Sequence, residues 1–189
     1  MKSNLIIIIL LLIFSINLHS ALYITPTYLA ETNKKLELGV ELGFSIDKSY
    51  EVLSILEYPL IKRFSPILKI GYMDRKDYAK GFYVNFSGKI ILFEKFGGSD
   101  FFSAIVGAHY CENLGIDTAI LIGNIFKNFD NYIGCAFESN FLKDKNIYPG
   151  YFILGAKFPF KNNKLKILIE FNIPITNDYD YTLGVSLKY

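Results

Sequence analysis

The string His109-Tyr110-Cys111-Glu112-Asn113 contains residue types that nucleophilic catalysis uses. His109 could act as a general base and Cys111 as a thiol nucleophile. Such catalysis needs the base within hydrogen-bond reach of the nucleophile and a third group that orients the base. No acid follows at a convincing position downstream, and a single histidine near a strand end is more often a hydrogen-bonded polar residue. We therefore expect no catalytic residues and no enzymatic activity.

A metal centre is not expected either. Beyond the N-terminal leader the chain has one histidine and two cysteines, Cys111 and Cys135. A zinc site needs more nitrogen or sulfur ligands than these provide. The two cysteines fall on strands two apart in the chain and, by alternation, on opposite faces. A disulfide between them is therefore not expected, and the sequence predicts no cofactor.

Charged residues recur at every second position in otherwise apolar segments, which places them on one face of successive strands. In a closed sheet this face would line the interior. Acidic and basic members nearly balance, so we expect ion pairs that fill a narrow interior, since charges removed from bulk water must be paired. A small water-filled pore that favours cations is the alternative. The predicted interior set is Glu37, Glu41, Glu51, Glu57, Lys69, Lys89, His109, Asp117, Glu138, Lys157, Lys166, Glu170 and Lys188.

Ten segments with this alternation would position the charged side chains. The clearest covers residues 36–46, where leucine, valine, phenylalanine and isoleucine occupy one face and glutamate, glycine and serine the other. Turn signals separate the segments, among them Gly97-Gly98 and Asn162-Asn163. The other nine segments are 50–58, 68–72, 82–92, 102–110, 116–122, 132–141, 152–158, 165–173 and 181–189.

Three features favour a membrane barrel over a soluble sandwich. Most segments have the roughly 9–11 residues that a tilted strand needs to cross a bilayer. Aromatic residues mark the ends of the apolar faces, where interfacial girdles lie, and no Lys, Arg, Asp or Glu occurs on those faces. Because hydrocarbon offers no hydrogen-bond partners, the sheet must close. The sequence predicts an all-β, closed antiparallel transmembrane β-barrel over residues 36–189 with ten strands, eight or twelve being possible. A soluble ligand-binding β-barrel is the alternative.

The N-terminus predicts export. Lys2 precedes an apolar run and then small and polar residues up to Ser20, which is the order of a secretory signal peptide over residues 1–20. The apolar run has 10 residues, well short of the ~20 that a membrane-spanning helix needs. Residues 21–35, interrupted by Pro26, would be a lead-in or a segment inside the barrel. The net charge of +2 gives no warrant for a nucleic-acid partner.

The last strand combines alternation with a terminal aromatic residue, because Tyr181, Leu183, Val185, Leu187 and Tyr189 share one face. This ending resembles the closing strand of bacterial outer-membrane β-barrels. The chain is similar in size to their small OmpX-like and OmpA-barrel-like members. The resemblance implies a monomer in the outer membrane, surrounded by lipid. It also implies that these five residues are an assembly signal recognised by the barrel-assembly machinery.

We expect a structural role or a narrow pore, and two further functions remain as alternatives. The string at 109–113 resembles the His-x-Ser-Asn motif of the lipid A deacylases, with Cys111 in the place of the serine. That resemblance implies a lipid A-modifying enzyme. The charged segments 74–80 and 143–146 would be external loops, which in an adhesin-like surface protein would bind an external ligand.

Overall fold

The structure is a computed structural model. It describes residues 36–45, 49–61, 63–75, 79–126, 129–141, 146–147, 150–160, 165–175 and 181–189. None of these residues belongs to a helix with the length and hydropathy needed to cross a membrane. The predicted signal peptide, segment 21–35, and the Asn162-Asn163 turn lie outside the described residues.

The alternating segments form ten long strands, and a strand of two residues lies between the seventh and eighth of them. Their alternating β-branched and aromatic residues suit a pleated sheet with two different faces. The strands are β1 (Glu37–Ser45), β2 (Tyr50–Glu57), β3 (Phe64–Arg75), β4 (Ala79–Phe96), β5 (Ser99–Cys111), β6 (Asn113–Ile125), β7 (Asp130–Phe141), β8 (Asn146–Ile147), β9 (Gly150–Phe160), β10 (Leu165–Pro174) and β11 (Thr182–Lys188).

The ten long strands close into an antiparallel barrel. Each pairs with the next long strand in the chain, and β11 pairs with β1. The short β8 is attached to the end of β7. At the seam between β1 and β11, Tyr189 exchanges two backbone hydrogen bonds with Leu38, of 3.0 and 2.7 Å. The predicted all-β closed antiparallel barrel with ten strands is confirmed.

We call the two ends of the barrel the turn end and the loop end. The turn end holds the start of β1, the end of β11 and the Gly97-Gly98 turn, whose φ angles of 57° and 89° suit glycine. At the loop end, Glu112 alone connects β5 to β6 with a φ of 58°. The predicted turn over 112–115 is therefore shorter in the structure, because Asn113 already pairs with Cys111 in the ladder.

Two predicted boundaries also shift because pairing continues further than alternation suggested. Strand β3 runs to Arg75 and β4 starts at Ala79, so these two residues pair where a loop was expected over 74–80. Strand β4 has 18 residues and continues past a bulge between Ile91 and Phe93. The extra residue at a bulge breaks the alternation, which explains why the pattern of this strand became unreadable beyond residue 92.

Candidate functional site

The barrel interior is the candidate site because the charged residues of the strands are buried there. Of the thirteen residues in the predicted set, ten are at most 5% exposed. The side chains of Glu37, Asp117 and Lys166 are half-buried, with exposed fractions of 15%, 16% and 11%. Alternation places all thirteen on the inward face. The structure therefore brings charged residues from all ten long strands into one enclosed space.

At the turn end, the carboxylate of Glu57 binds two lysines, one through each oxygen. Its Oε1 accepts a hydrogen bond from Lys89 on β4, and its Oε2 accepts one of 2.8 Å from Lys188 on β11. All three side chains are at most 3% exposed. Because these residues come from β2, β4 and β11, the group connects strands on both sides of the β1–β11 seam.

Two further ion pairs lie at the same end of the barrel. Lys166 on β10 binds Glu37 on β1, and Lys157 on β9 binds Asp130 on β7. Asp130 was not in the predicted set, because residues 127–131 were interpreted as a loop. Extending the alternation of β7 by two residues before Tyr132 would have placed it inward.

The middle of the barrel has fewer cations. Lys69 Nζ lies 4.0 Å from Glu41 Oε2, and both side chains are at most 5% exposed. Glu170 accepts a hydrogen bond of 2.8 Å from the hydroxyl of Tyr132. The phenol thereby supplies a neutral donor to a buried carboxylate, which lowers the cost of removing that charge from water.

Near the loop end, three side chains that commonly ligate metals come together, and we call them the loop-end cluster: His109, Asp117 and Glu138. His109 Nδ1 lies 2.9 Å from Asp117 Oδ2, and His109 Nε2 lies 3.3 Å from Glu138 Oε1. Asn85 Nδ2 donates to Asp117 Oδ2 at 2.5 Å. Alternation places all three members on the inward face, but it does not show that they meet, because they lie on three different strands.

Inward-facing glycines allow side chains to cross a strand and reach the next one. The His109 ring lies over Gly115 on its way to Glu138, and a Cβ at Gly115 would overlap the ring. The Tyr132 ring crosses Gly155 towards Glu170 in the same way. The absence of a side chain on the intervening strand therefore determines which charged and polar groups can meet.

Apolar residues share the interior with the charges. The sequence predicted an interior of paired glutamates and lysines, because alternation assigns most apolar residues to the outer face. The structure differs by placing two apolar clusters inside as well. One cluster comprises Phe101, Ile105, Ala119, Leu121, Tyr132, Ala136 and Ile153. A second cluster comprises Leu53, Met73, Tyr83, Cys111 and Tyr151. Cys111 is buried in this second cluster, whereas Cys135 is half-buried, and both are free thiols.

The charges are distributed unevenly along the barrel axis. Among the inward side chains that the structure describes, the turn end has Glu37, Glu57 and Asp130 together with the four lysines of the pairs above. The middle and the loop end have five carboxylates, one lysine and one histidine. We call the middle and the loop end together the loop-end half of the interior, and its formal charge is more negative than that of the turn end. Its carboxylates are Glu41, Glu51, Asp117, Glu138 and Glu170.

No protein-family model matches the sequence, and no curated protein matches it at a significant level. A solved structure described as "De novo design of transmembrane beta-barrels" is similar to this chain, with 12% sequence identity and a TM-score of 0.44. The alignment covers 85% of this chain and 98% of the chain in that structure.

Proposed function

We propose that the chain spans the bacterial outer membrane as a closed barrel with a structural role. The observation that carries the proposal is the inverted polarity of the barrel. Soluble proteins keep most lysines and glutamates at the surface, whereas here Lys89 and Glu41 are 0% exposed in the interior and large apolar side chains cover the outside. A hydrocarbon environment accounts for an apolar exterior around such an interior. Exposed apolar residues on the outer face include Val40, Val52, Ile70, Phe86, Val106, Ile120, Ile133, Phe137, Leu154 and Ile169.

The positions of the aromatic residues support the same environment. Bands of aromatic side chains at both interfaces flank the apolar belt of a membrane barrel. Exposed aromatics near the loop end are Tyr50, Tyr72, Phe82, Tyr110 and Tyr181. Those near the turn end are Tyr58, Phe158, Phe160 and Tyr189. The charged Asp74–Lys80 pair, of 2.6 Å, lies closer to the loop end than its strand neighbours Tyr72 and Phe82, where headgroups or water would surround it.

The filled interior favours a structural role over diffusion of solutes. Side chains from different sides of the barrel, among them Lys89, Leu168, Glu170 and Ser186, are 0% exposed. The walls of a wide water-filled channel would remain accessible to water. Barrels of about eight strands have interiors that side chains can fill, and ten strands make only a slightly wider space.

The N-terminal residues and the closing strand support export and assembly in the outer membrane. The charged and apolar order of residues 1–20 supports a cleaved signal peptide. Strand β11 pairs on both sides with β1 and β10, and Tyr189 at its end is 70% exposed. An accessible aromatic end on the closing strand supports recognition by barrel-assembly machinery. The proposed protein is a monomer with lipid as its main partner and without catalytic activity.

Planar-bilayer conductance and vesicle flotation on the refolded chain test the proposal. We expect the protein to float with lipid vesicles and to give no stable unitary current steps. Tyr132→Ala is the matched control, because it removes a buried ring that crosses Gly155 and should open space in the interior and raise the current. Recovery of the wild type as a lipid-free soluble monomer would contradict the membrane location. Stable unitary steps from the wild type would contradict the closed interior.

A narrow cation pore is the second candidate, and one observation favours it. The loop-end half of the interior has five carboxylates but a single lysine among the described inward side chains. Such an excess attracts cations and repels anions. If unitary steps occur, their reversal potential in a potassium chloride gradient should show cation preference, and Glu170→Gln should reduce it.

A further inference from the structure

We propose that the loop-end cluster binds a divalent transition-metal cation of the zinc class, with His109 Nε2 and Glu138 as direct ligands and Asp117 as a positioning residue. Imidazole nitrogen and carboxylate oxygen are both ligands that zinc accepts, and water can complete a tetrahedral set. The sequence showed too few nitrogen and sulfur ligands for a zinc site. The structure adds two carboxylates from neighbouring strands to the single histidine.

The two contacts of the imidazole differ in length, and the difference indicates where a cation fits. The 2.9 Å between His109 Nδ1 and Asp117 Oδ2 is the length of a charge-assisted hydrogen bond. The separation of His109 Nε2 and Glu138 Oε1 is longer, at 3.3 Å. Two ligands about 2.0–2.1 Å from one zinc ion, at a tetrahedral angle, lie roughly 3.3 Å apart. The Nε2 side therefore has the spacing of two ligands on one metal.

Asp117 occupies the position that supporting carboxylates take in metal sites. A ligating histidine usually donates its other ring N–H to a carboxylate, which fixes the tautomer and raises the basicity of the ligating nitrogen. Asp117 is itself held by the 2.5 Å hydrogen bond from Asn85, whose Oδ1 accepts a hydrogen bond from Ser87. This chain of polar contacts orients His109 before any cation binds.

The surroundings of the ring restrict it to one orientation. Gly115 provides the space in which the ring lies across β6. Tyr83 stacks on the ring, with centroids 5.9 Å apart and an angle of 23° between the planes. Both constraints come from neighbouring strands, so Nε2 is directed at Glu138 without the entropy cost of ordering a free side chain.

Charge and access also favour a cation at this place. Asp117 and Glu138 are directly opposite each other in the β6–β7 ladder, and like charges in this position repel. A dication between Glu138 and His109 offsets that repulsion, in a half of the barrel where carboxylates predominate. The Asp117 side chain is 16% exposed, so solvent reaches the cluster.

Metal titration of the refolded full chain in detergent micelles tests this proposal. After treatment with a chelator, zinc should bind with a stoichiometry of one by calorimetry. Cobalt(II) should bind at the same place and give the visible absorption of a low-coordinate site that contains nitrogen. His109→Ala and Glu138→Gln should abolish stoichiometric binding, and Asp117→Asn should weaken it about 10- to 100-fold, as for other residues that support a metal ligand.

Glu51→Gln is the matched control, because Glu51 is a buried carboxylate of the same half of the barrel outside the cluster. It should leave the affinity for zinc within about two-fold, whereas an equal loss in this variant would indicate diffuse charge attraction and overturn the proposal. Glu138→Gln preserves the shape of the side chain, and circular dichroism shows whether it folds. Absence of zinc binding to the wild type, or a preference for calcium over zinc, would also overturn it. Neither result would affect the proposed closed barrel.

Discussion

Replacing Glu57 with alanine removes the carboxylate that two buried lysines share at the turn end of the barrel. Lys89 and Lys188 both bind it, and their side chains are 0% and 2% exposed. The variant leaves two ammonium groups close together in an enclosed space without this counter-ion. Removal of one partner from a buried ion pair costs roughly 3–5 kcal/mol. Total stabilities are roughly 5–15 kcal/mol, so we expect Glu57→Ala to lose a large part of the free energy of unfolding.

The measurement is a denaturant titration of the chain refolded in lipid vesicles, followed by circular dichroism. Glu94→Ala is the control, because its partner Arg63 is 3.7 Å away and the two side chains are 41% and 55% exposed. Exposed ion pairs contribute about 0–1 kcal/mol, so the control should change little. Equal small losses in the two variants would refute the reasoning, since they would show that water reaches and solvates the lysines at the turn end.

Two other variants test the outer face and the crossing of strands by side chains. Val106→Arg puts a charge in the middle of the outer face of β5, where Val106 is 56% exposed. It should cost about 2–4 kcal/mol in lipid vesicles, and an unchanged free energy of unfolding would contradict a lipid-facing position. Gly155→Ala introduces a Cβ that overlaps the Tyr132 ring. It should destabilise the barrel more than Tyr132→Phe, which loses only the hydrogen bond to Glu170, and the reverse order in the same titration would show that the ring does not depend on Gly155.

The strands and their faces follow from local pattern, which explains why they could be predicted. Side chains alternate between faces along a strand regardless of what lies next to it. Alternation alone therefore identified Glu51 and Lys89 as inward-facing and Val106 as outward-facing. Boundaries were less accurate, because pairing with a neighbouring strand extends β3 and β4 into residues that have loop-like composition.

The contacts inside the barrel could not be predicted in this way. Lys188 and Glu57 are 131 positions apart in the chain, and they meet only because β11 and β1 close the sheet. The register between strands then decides which charges lie at one height. Apolar inward residues such as Leu53 and Ile153 were also missed, since alternation between an apolar and a polar face does not lead one to expect them in the interior.

The sequence by itself indicated ten alternating segments, the two faces of each and most of the charges that the interior receives, because each depends on residues that are neighbours in the chain. The tertiary structure alone decided that His109 meets Asp117 and Glu138, and that carboxylates predominate towards the loop end. The physical reason is that these contacts join different strands. They depend on the register of the closed sheet and on glycines that leave room for a side chain to cross.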